Sequence, residues 1–377
     1  MPLSVGNIEL FMGPKQVGAP DDLEKPIIDF IDSVDSTLEI AVQELESVSI
    51  AKAILRARKR RVRVRLVIER DYLSERSPVD DPWVEDEDNN NIDNRKIYAA
   101  LLRAKVHVIT DLNPNIFHQK FMVKDWRTSG KAQVLTGSTN FTPTGTSVNL
   151  NHIVIITSKR TAKVYRREFE ELWSGTFGQK RSRHQPKPSV YQISNVPVKI
   201  LFAPDHSPEM EVMKQMLKAK RRIDFAIFTF ATSSGIDDAM IAIQRGNIAV
   251  RGVLDLGQGN QKWAASRPLV VEGVELYLAR RTGGVKKLHH KLMVIDEQLI
   301  IAGSFNYTEP ATALNGKNRG HREFERGRPR QDRPPKTVGG ICTNRDRPHH
   351  QHQRQTVRLT KPLSPNSGSG TLSGRLK

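Results

Sequence analysis

The sequence predicts an α/β protein made of two copies of one unit, and three observations carry that prediction. Short apolar strand patterns alternate with amphipathic helix patterns over the first 315 residues. The order of these elements repeats at nearly constant spacing: Phe11 matches Phe202, Ala41 matches Ala226 and Val64 matches Val250, offsets of 191, 185 and 186. Each copy also carries one His-x-Lys-x4-Asp run followed by Gly-Ser-x-Asn.

In the first copy, residues 8–12 read as a strand and 22–34 as an amphipathic helix with Asp22 near its start. Residues 38–43 read as a strand, 49–60 as a basic helix, and 62–68 as a strand in which Arg61, Arg63 and Arg65 alternate as on an edge or partly wet face. An acidic, Asn-rich loop (85–93) precedes a helix at 95–104 and strands at 106–110 and 117–123. A strand at 153–157 and a helix at 162–173 close the unit. The second copy runs as strand 199–203, helix 210–219, strand 223–230, helix 235–245, and strands 249–255, 274–279 and 288–295. The expected organisation is a first domain at 1–180, a Pro-rich basic linker at 181–197, a second domain at 198–315, and a tail at 316–377.

Charge is spread unevenly. The 377 residues hold 59 Lys+Arg against 41 Asp+Glu, net +18, yet residues 316–377 alone hold 15 basic and 4 acidic residues. The tail is poor in apolar runs and rich in Arg, Pro, Gly, Gln, His and Ser, a composition that predicts disorder. The remaining 315 residues are only mildly basic, so net charge does not favour nucleic acid over an anionic lipid as partner. The single cysteine, Cys342, excludes a disulfide framework and a cysteine-rich metal module. The amino terminus has no secretory pattern, and no stretch of about 18 apolar residues marks a membrane span. A cytoplasmic setting with peripheral membrane contact at most is the expectation.

The chemistry lies in the repeated motif: His118, Lys120 and Asp125, then Ser138 and Asn140; His289, Lys291 and Asp296, then Ser304 and Asn306. Composition alone yields one His-x-Lys-x4-Asp about 0.04 times. Residues two apart on a strand share a face, so each copy presents an imidazole and an ammonium together, with a hydroxyl and an amide from the neighbouring run. Two such rims brought together suit a phosphodiester. The ammonium, hydroxyl and amide groups hold non-bridging oxygens, one neutral histidine attacks phosphorus, and the other, protonated, serves the leaving oxygen. Asp125 and Asp296 lie an odd number of residues from their histidines, so they support the site through turn hydrogen bonds. His290 should face away from the pocket, and His152, His184 and His206 have no partner pattern. No zinc motif is present, so no metal is expected.

These paired motifs resemble the phospholipase D superfamily, over about residues 8–315. The resemblance implies two similar phospholipase D-like α/β sandwich domains packed as a monomeric pseudo-dimer around one active site, with no cofactor. It implies phosphodiester cleavage through a covalent phosphohistidine, the nucleophile at His118 and the general acid at His289. Lys120, Lys291, Asn140 and Asn306 fall on phosphate-binding positions. Phospholipid head groups are the first expectation for substrate. A metal-independent nuclease is the alternative, and a binding protein inactivated by an incomplete second domain is the third.

Two departures stand out. Some relatives carry an acidic residue about 14 positions after the motif glycine, where it orients a histidine; here Asn151 occupies that position. From Gly316 the second copy breaks abruptly from the repeat, as a shifted reading frame or a mispredicted end would produce, with a genuine specialised tail as the alternative.

Overall fold

Period-two alternation splits the strands of the first half between two cores. Along β3 (Thr37–Val42) in this computed structural model, Leu38, Ile40 and Val42 enter one core while Ala41 faces another. The structure describes residues 2–74, 81, 83–84, 91–111, 116–177 and 187–314, with backbone alone at 312–314. All of them belong to one compact unit. Most of the acidic loop, His184, much of the expected linker and the basic tail with Cys342 lie outside the described residues.

The first half runs β1 (Leu3–Val5), β2 (Ile8–Gly13), α1 (Glu24–Asp32), β3, α2 (Val48–Lys59), β4 (Arg63–Ile68), α3 (Ile92–Arg103), β5 (His107–Thr110), β6 (Lys120–Lys124), β7 (Gln133–Gly137), α4 (Pro143–Ser147), β8 (Asn149–Thr157) and α5 (Lys159–Trp173). Its strands form one sheet in the order β1-β2-β8-β7-β6-β3-β4-β5. Residues of α1, α2 and α3 fill the core on one face. On the other face α5 packs Tyr165, Phe169 and Leu172 against Phe121 and Val123. Ser47 and Ser158 start α2 and α5 by accepting from the backbone N–H three residues on. β4 is an interior strand, so Arg65 is no edge residue: its guanidinium lies 2.5 Å from Glu39 and from Glu170 and stacks on Phe169 and Trp173.

The second half runs β9 (Tyr191–Ile193), β10 (Val196–Val198), α6 (Pro208–Met216), β11 (Arg222–Ile227), α7 (Ile236–Arg245), β12 (Ala249–Asp255), α8 (Leu256–Gly259), α9 (Ser266–Val271), β13 (Glu275–Ala279), β14 (Lys287–Leu288), β15 (Lys291–Ile295), β16 (Leu299–Ala302) and α10 (Glu309–Leu314). Its sheet order, β13-β12-β11-β15-β16, repeats β5-β4-β3-β6-β7. The directions repeat as well, with β11 parallel to β12 and antiparallel to β15, as β3 is to β4 and β6. The duplicated α/β fold read from the sequence is therefore present.

Two elements differ from expectation. Residues 199–203 form no strand: β2 pairs with β8 in the first half, and the second sheet has no described strand at the position of β8. Instead Ile200 and Phe202 pack beside α5, with the Phe202 ring 5.1 Å from that of Tyr165. The expected linker also carries structure, because β9 and β10 form an antiparallel hairpin whose Tyr191 and Ile193 join the same core.

The halves are stitched together by backbone. β14 pairs in parallel with β8, Lys287 opposite Asn149 and Leu288 opposite Leu150. Lys286 N–H donates to the Val148 carbonyl and His289 N–H to the Leu150 carbonyl, both at 2.8 Å. No helix among the described residues is long and apolar enough to cross a membrane.

Candidate active site

Matched carboxylates hold the residue ahead of each motif histidine. At the end of β4, Glu69 accepts from the N–H of Phe117 and from that of Asp71 at 3.1 Å. At the end of β12, Asp255 accepts from Leu288 N–H at 3.1 Å and from Gly257 and Gln258 at 3.0 and 3.1 Å. One residue beyond β3 and β11, Gln43 N–H donates to Gln119 and Phe228 N–H to His290, at 2.9 and 2.8 Å. These bonds keep the histidines at the lip of β6 and β15 rather than inside them. The strands begin at Lys120 and Lys291, later than the sequence pattern placed them. Neither Gln43, Glu69, Phe228 nor Asp255 stood out in the motif, although the repeat offsets of 185 and 186 pair the first with the third and the second with the fourth.

The two lysines are buried, and each donates to the carbonyl of its own motif histidine, Lys120 at 3.4 Å and Lys291 at 2.8 Å. Lys120 also donates to Gln43 Oε1 at 2.8 Å. Lys291 also lies over the ring of Phe228, 4.9 Å from its centroid, and that ring is 4.7 Å from the ring of His289.

Asn151, from β8 of the first half, orients the histidine of the second. Its Oδ1 is 2.8 Å from His289 Nδ1 and accepts from Ser138 Oγ at 2.7 Å, while its Nδ2 donates to the Gly145 carbonyl at 2.9 Å. The position flagged in the sequence is thus a contact to His289, made by a neutral amide. Ser138 is fully buried and its hydroxyl is committed to Asn151, which takes it out of the phosphate-donor role the spacing suggested. Asn140 and Asn306 each bury a side-chain oxygen with no hydrogen-bond partner among the described residues, a matching feature in both halves. Ser304 contributes a backbone hydrogen bond to His118.

Asp125 and Asp296 sit at the far ends of their strands. Asp125 accepts from the N–H groups of Asp35, Ser36 and Thr37 and from the Ser36 hydroxyl, at 2.7–3.1 Å. Asp296 accepts from Lys220, Arg221 and Arg222 N–H at 2.8–3.0 Å. Each pins the turn that starts β3 or β11, so both build the fold and neither meets the histidines.

Electrostatics tie the cluster together. Burial, then the ammonium groups of Lys120 and Lys291, hold His118 well below the usual imidazole range, opposed by its bond to Ser304. Burial, then Lys291, Lys120, His118 and Lys287, hold His289 low as well. Burial pushes Lys120 down to about 7 against the pull of Glu44, and burial with Lys120 and Lys287 takes Lys291 well below its ordinary value. All four groups therefore bind protons less readily than they ordinarily would, and a neighbouring anion would act in the opposite direction.

Two features lie away from this cluster. A cavity of about 570 Å³ runs between α1 and the sheet, beside Phe11, Lys25, Phe30 and Ile155. Glu168, Glu171 and Asp205 bring one oxygen each within 4.8 Å of one another, the metal-like grouping among the described residues, with Glu168 accepting from Gln119 Nε2 at 3.2 Å.

Known proteins match this arrangement. The family model described as "Cardiolipin synthase, PLD-like domain" (PLD, phospholipase D) matches residues 27–173 and 212–318, about two thirds of the chain and both motifs. The mitochondrial cardiolipin hydrolase of Xenopus tropicalis is 31% identical over 137 residues, 36% of this chain and 54% of that protein, so the match spans about half of that relative. A phospholipase D of Rickettsia conorii is 27% identical over 146 residues, 39% of this chain and 62% of that protein. The crystal structure of phosphatidylserine synthase from Haemophilus influenzae has the same fold, with a TM-score of 0.54 at 12% identity over 83% of this chain and 81% of that one. With a duplicated sheet, one His-Lys motif per half and a family match across both, the chain belongs to the phospholipase D superfamily, within the family of cardiolipin synthase PLD-like domains.

Proposed function

We propose that this chain is a phosphodiesterase that cleaves phospholipid head groups through a phosphohistidine. The observation that carries the reading is the convergence of half-buried His118 with buried Lys120, His289 and Lys291 where the halves meet, His118 bonded to the backbone of Ser304 and His289 held beside β8. His118, whose imidazole is held below its ordinary value and so favours the neutral form, attacks phosphorus. The N–P bond forms as the bond to the leaving oxygen breaks, and His289, protonated when the anionic substrate arrives, gives that oxygen its proton. Lys120 and Lys291, with the amides of Asn140 and Asn306, oppose charge on the non-bridging oxygens. Water deprotonated by His289 then attacks phosphorus and returns His118 to its neutral form. A lipid substrate is favoured because the curated relatives reported above are named cardiolipin hydrolase and phospholipase D.

The test incubates the purified chain with cardiolipin vesicles, phosphatidylcholine vesicles and single-stranded DNA, in chelator. Lipid cleavage that yields a phosphorylated histidine, absent in His118→Asn, is the expected result. Cleavage of DNA alone would make it a nuclease. Inertness toward all three, with His118→Asn indistinguishable from the parent, would identify a binding protein.

A further inference from the structure

A second pair of histidines, outside the motif lysines, lies where the halves meet. His152 is fully buried on β8, and its Nδ1 is 3.2 Å from Nδ1 of His290, whose ring stacks on it at 5.5 Å with 15° between planes. The sequence marked neither residue.

Hydrogen-bond direction can be followed outward from one fixed acceptor. The Gly145 carbonyl only accepts, so the amide of Asn151 must point Nδ2 at it and Oδ1 at Ser138 and His289. Oδ1 in turn only accepts. Ser138 therefore spends its hydroxyl proton there, and His289 must carry a proton on Nδ1. Ser138 Oγ, its proton committed, receives the backbone N–H of His152 at 3.0 Å and faces His152 Nδ1 at 3.3 Å. His152 must then be the donor from Nδ1, and His290 Nδ1 the acceptor, with the His290 proton on Nε2. His152 Nε2 is left as a buried lone pair with no partner among the described residues. The opposite tautomer would bury an unpaired N–H there and set two lone pairs against each other at Ser138, a loss several times that of an ordinary hydrogen bond.

We propose that the His152–His290 pair is a positioning device: it holds Ser138, and through it Asn151, so that the amide oxygen oriented by the Gly145 carbonyl stays on His289 Nδ1, leaving His289 Nε2 as the atom that takes and returns the proton. The chain of bonds begins on His290, beside the catalytic residue in sequence, crosses to the first half, and returns to His289. Docking of the halves thereby sets the protonation geometry of the site. The catalytic consequence rests on the role given to His289 above; the tautomer assignment does not.

Long-range proton–nitrogen correlation of the full chain labelled with ¹⁵N-histidine tests it. Protons are expected on Nδ1 of His289 and His152 and on Nε2 of His290. A proton on Nε2 of either His289 or His152 in the unliganded chain would overturn the proposal before any variant is made. In His152→Phe, the His289 signals are expected to average between tautomers, and kcat to fall about tenfold on a soluble phosphodiester with KM within about twofold. An unaltered His289 pattern in that variant would sink the idea. Should the wild-type chain show these tautomers yet cleave no phosphodiester, the positioning network stands and the enzymatic reading fails.

Discussion

The ammonium of Lys120 rests 2.8 Å from Gln43 Oε1, whereas the residue matching Gln43 in the other half, Phe228, offers its partner lysine only a ring face at 4.9 Å. The duplicated site is therefore asymmetric in how it keeps its cations. Gln43→Leu removes the nearer of the two polar partners of an ammonium that burial already holds near 7. The lysine of the variant loses its proton at lower pH still, so the alkaline limb of kcat/KM moves to lower pH. A pH–rate profile on a soluble phosphodiester checks this.

The same lysine shapes stability. Its folded pKa, about 7, lies below the ordinary 10.5, so the unfolded chain binds more protons between those values and stability rises with pH across that window. Glu69 acts with the opposite sign. Burial first, then the nearby Asp111 carboxylate, raise it from 4.5 to about 8. The folded chain binds the extra proton between those values, and stability falls as pH rises through them. Urea unfolding against pH is expected to show both slopes, and Glu69→Gln to flatten the second. Glu69→Ala, which leaves Phe117 N–H unpaired, is expected to lower kcat as well.

Anion binding should take up protons. His118, His289, Lys120 and Lys291 are all held below their ordinary values. Titration calorimetry with inorganic phosphate at pH 8, in buffers of different ionisation enthalpy, is expected to show uptake of about one proton or more. Proton release on binding would contradict this electrostatic account.

Asp125→Ala removes the acceptor of three backbone N–H groups and one hydroxyl. A loss of about 2–3 kcal/mol in unfolding free energy is expected, with kcat within a fewfold of the parent where the variant is folded. Thermal denaturation and turnover measured on one sample separate the two effects.

Gly137→Ala is expected to be worse. Gly137 has φ of +153°, and a Cβ there would lie 2.2 Å from the carbonyl oxygen of His152. β7 and β8 would be forced apart at Ser138 and Asn151. The expected outcome is a loss of about 3 kcal/mol or more, read by chemical denaturation.

The duplication, the sheet-forming segments and the four motif residues that converge were legible because they repeat at fixed spacing. The histidines' position at the strand lips was not, since it depends on Glu69 and Asp255 capturing backbone groups nearly 50 and 33 residues away. Asn151 was visible as a position and silent about its partner, because the contact to His289 spans 138 residues and needs β14 beside β8. Ser138 was misassigned for a related reason: a strand pattern tells which residues share a face, not which of them another half will cover.

On the function proposed above, the pairing of β14 with β8 makes catalysis a late event in the life of each molecule. A chain emerging from the ribosome can complete the first sheet, and still holds only one imidazole of the reacting pair. The second is delivered by backbone bonds to a strand finished more than a hundred residues earlier. On that reading a partly made or partly opened molecule lacks a complete site, and turnover itself reports that both halves have folded and closed.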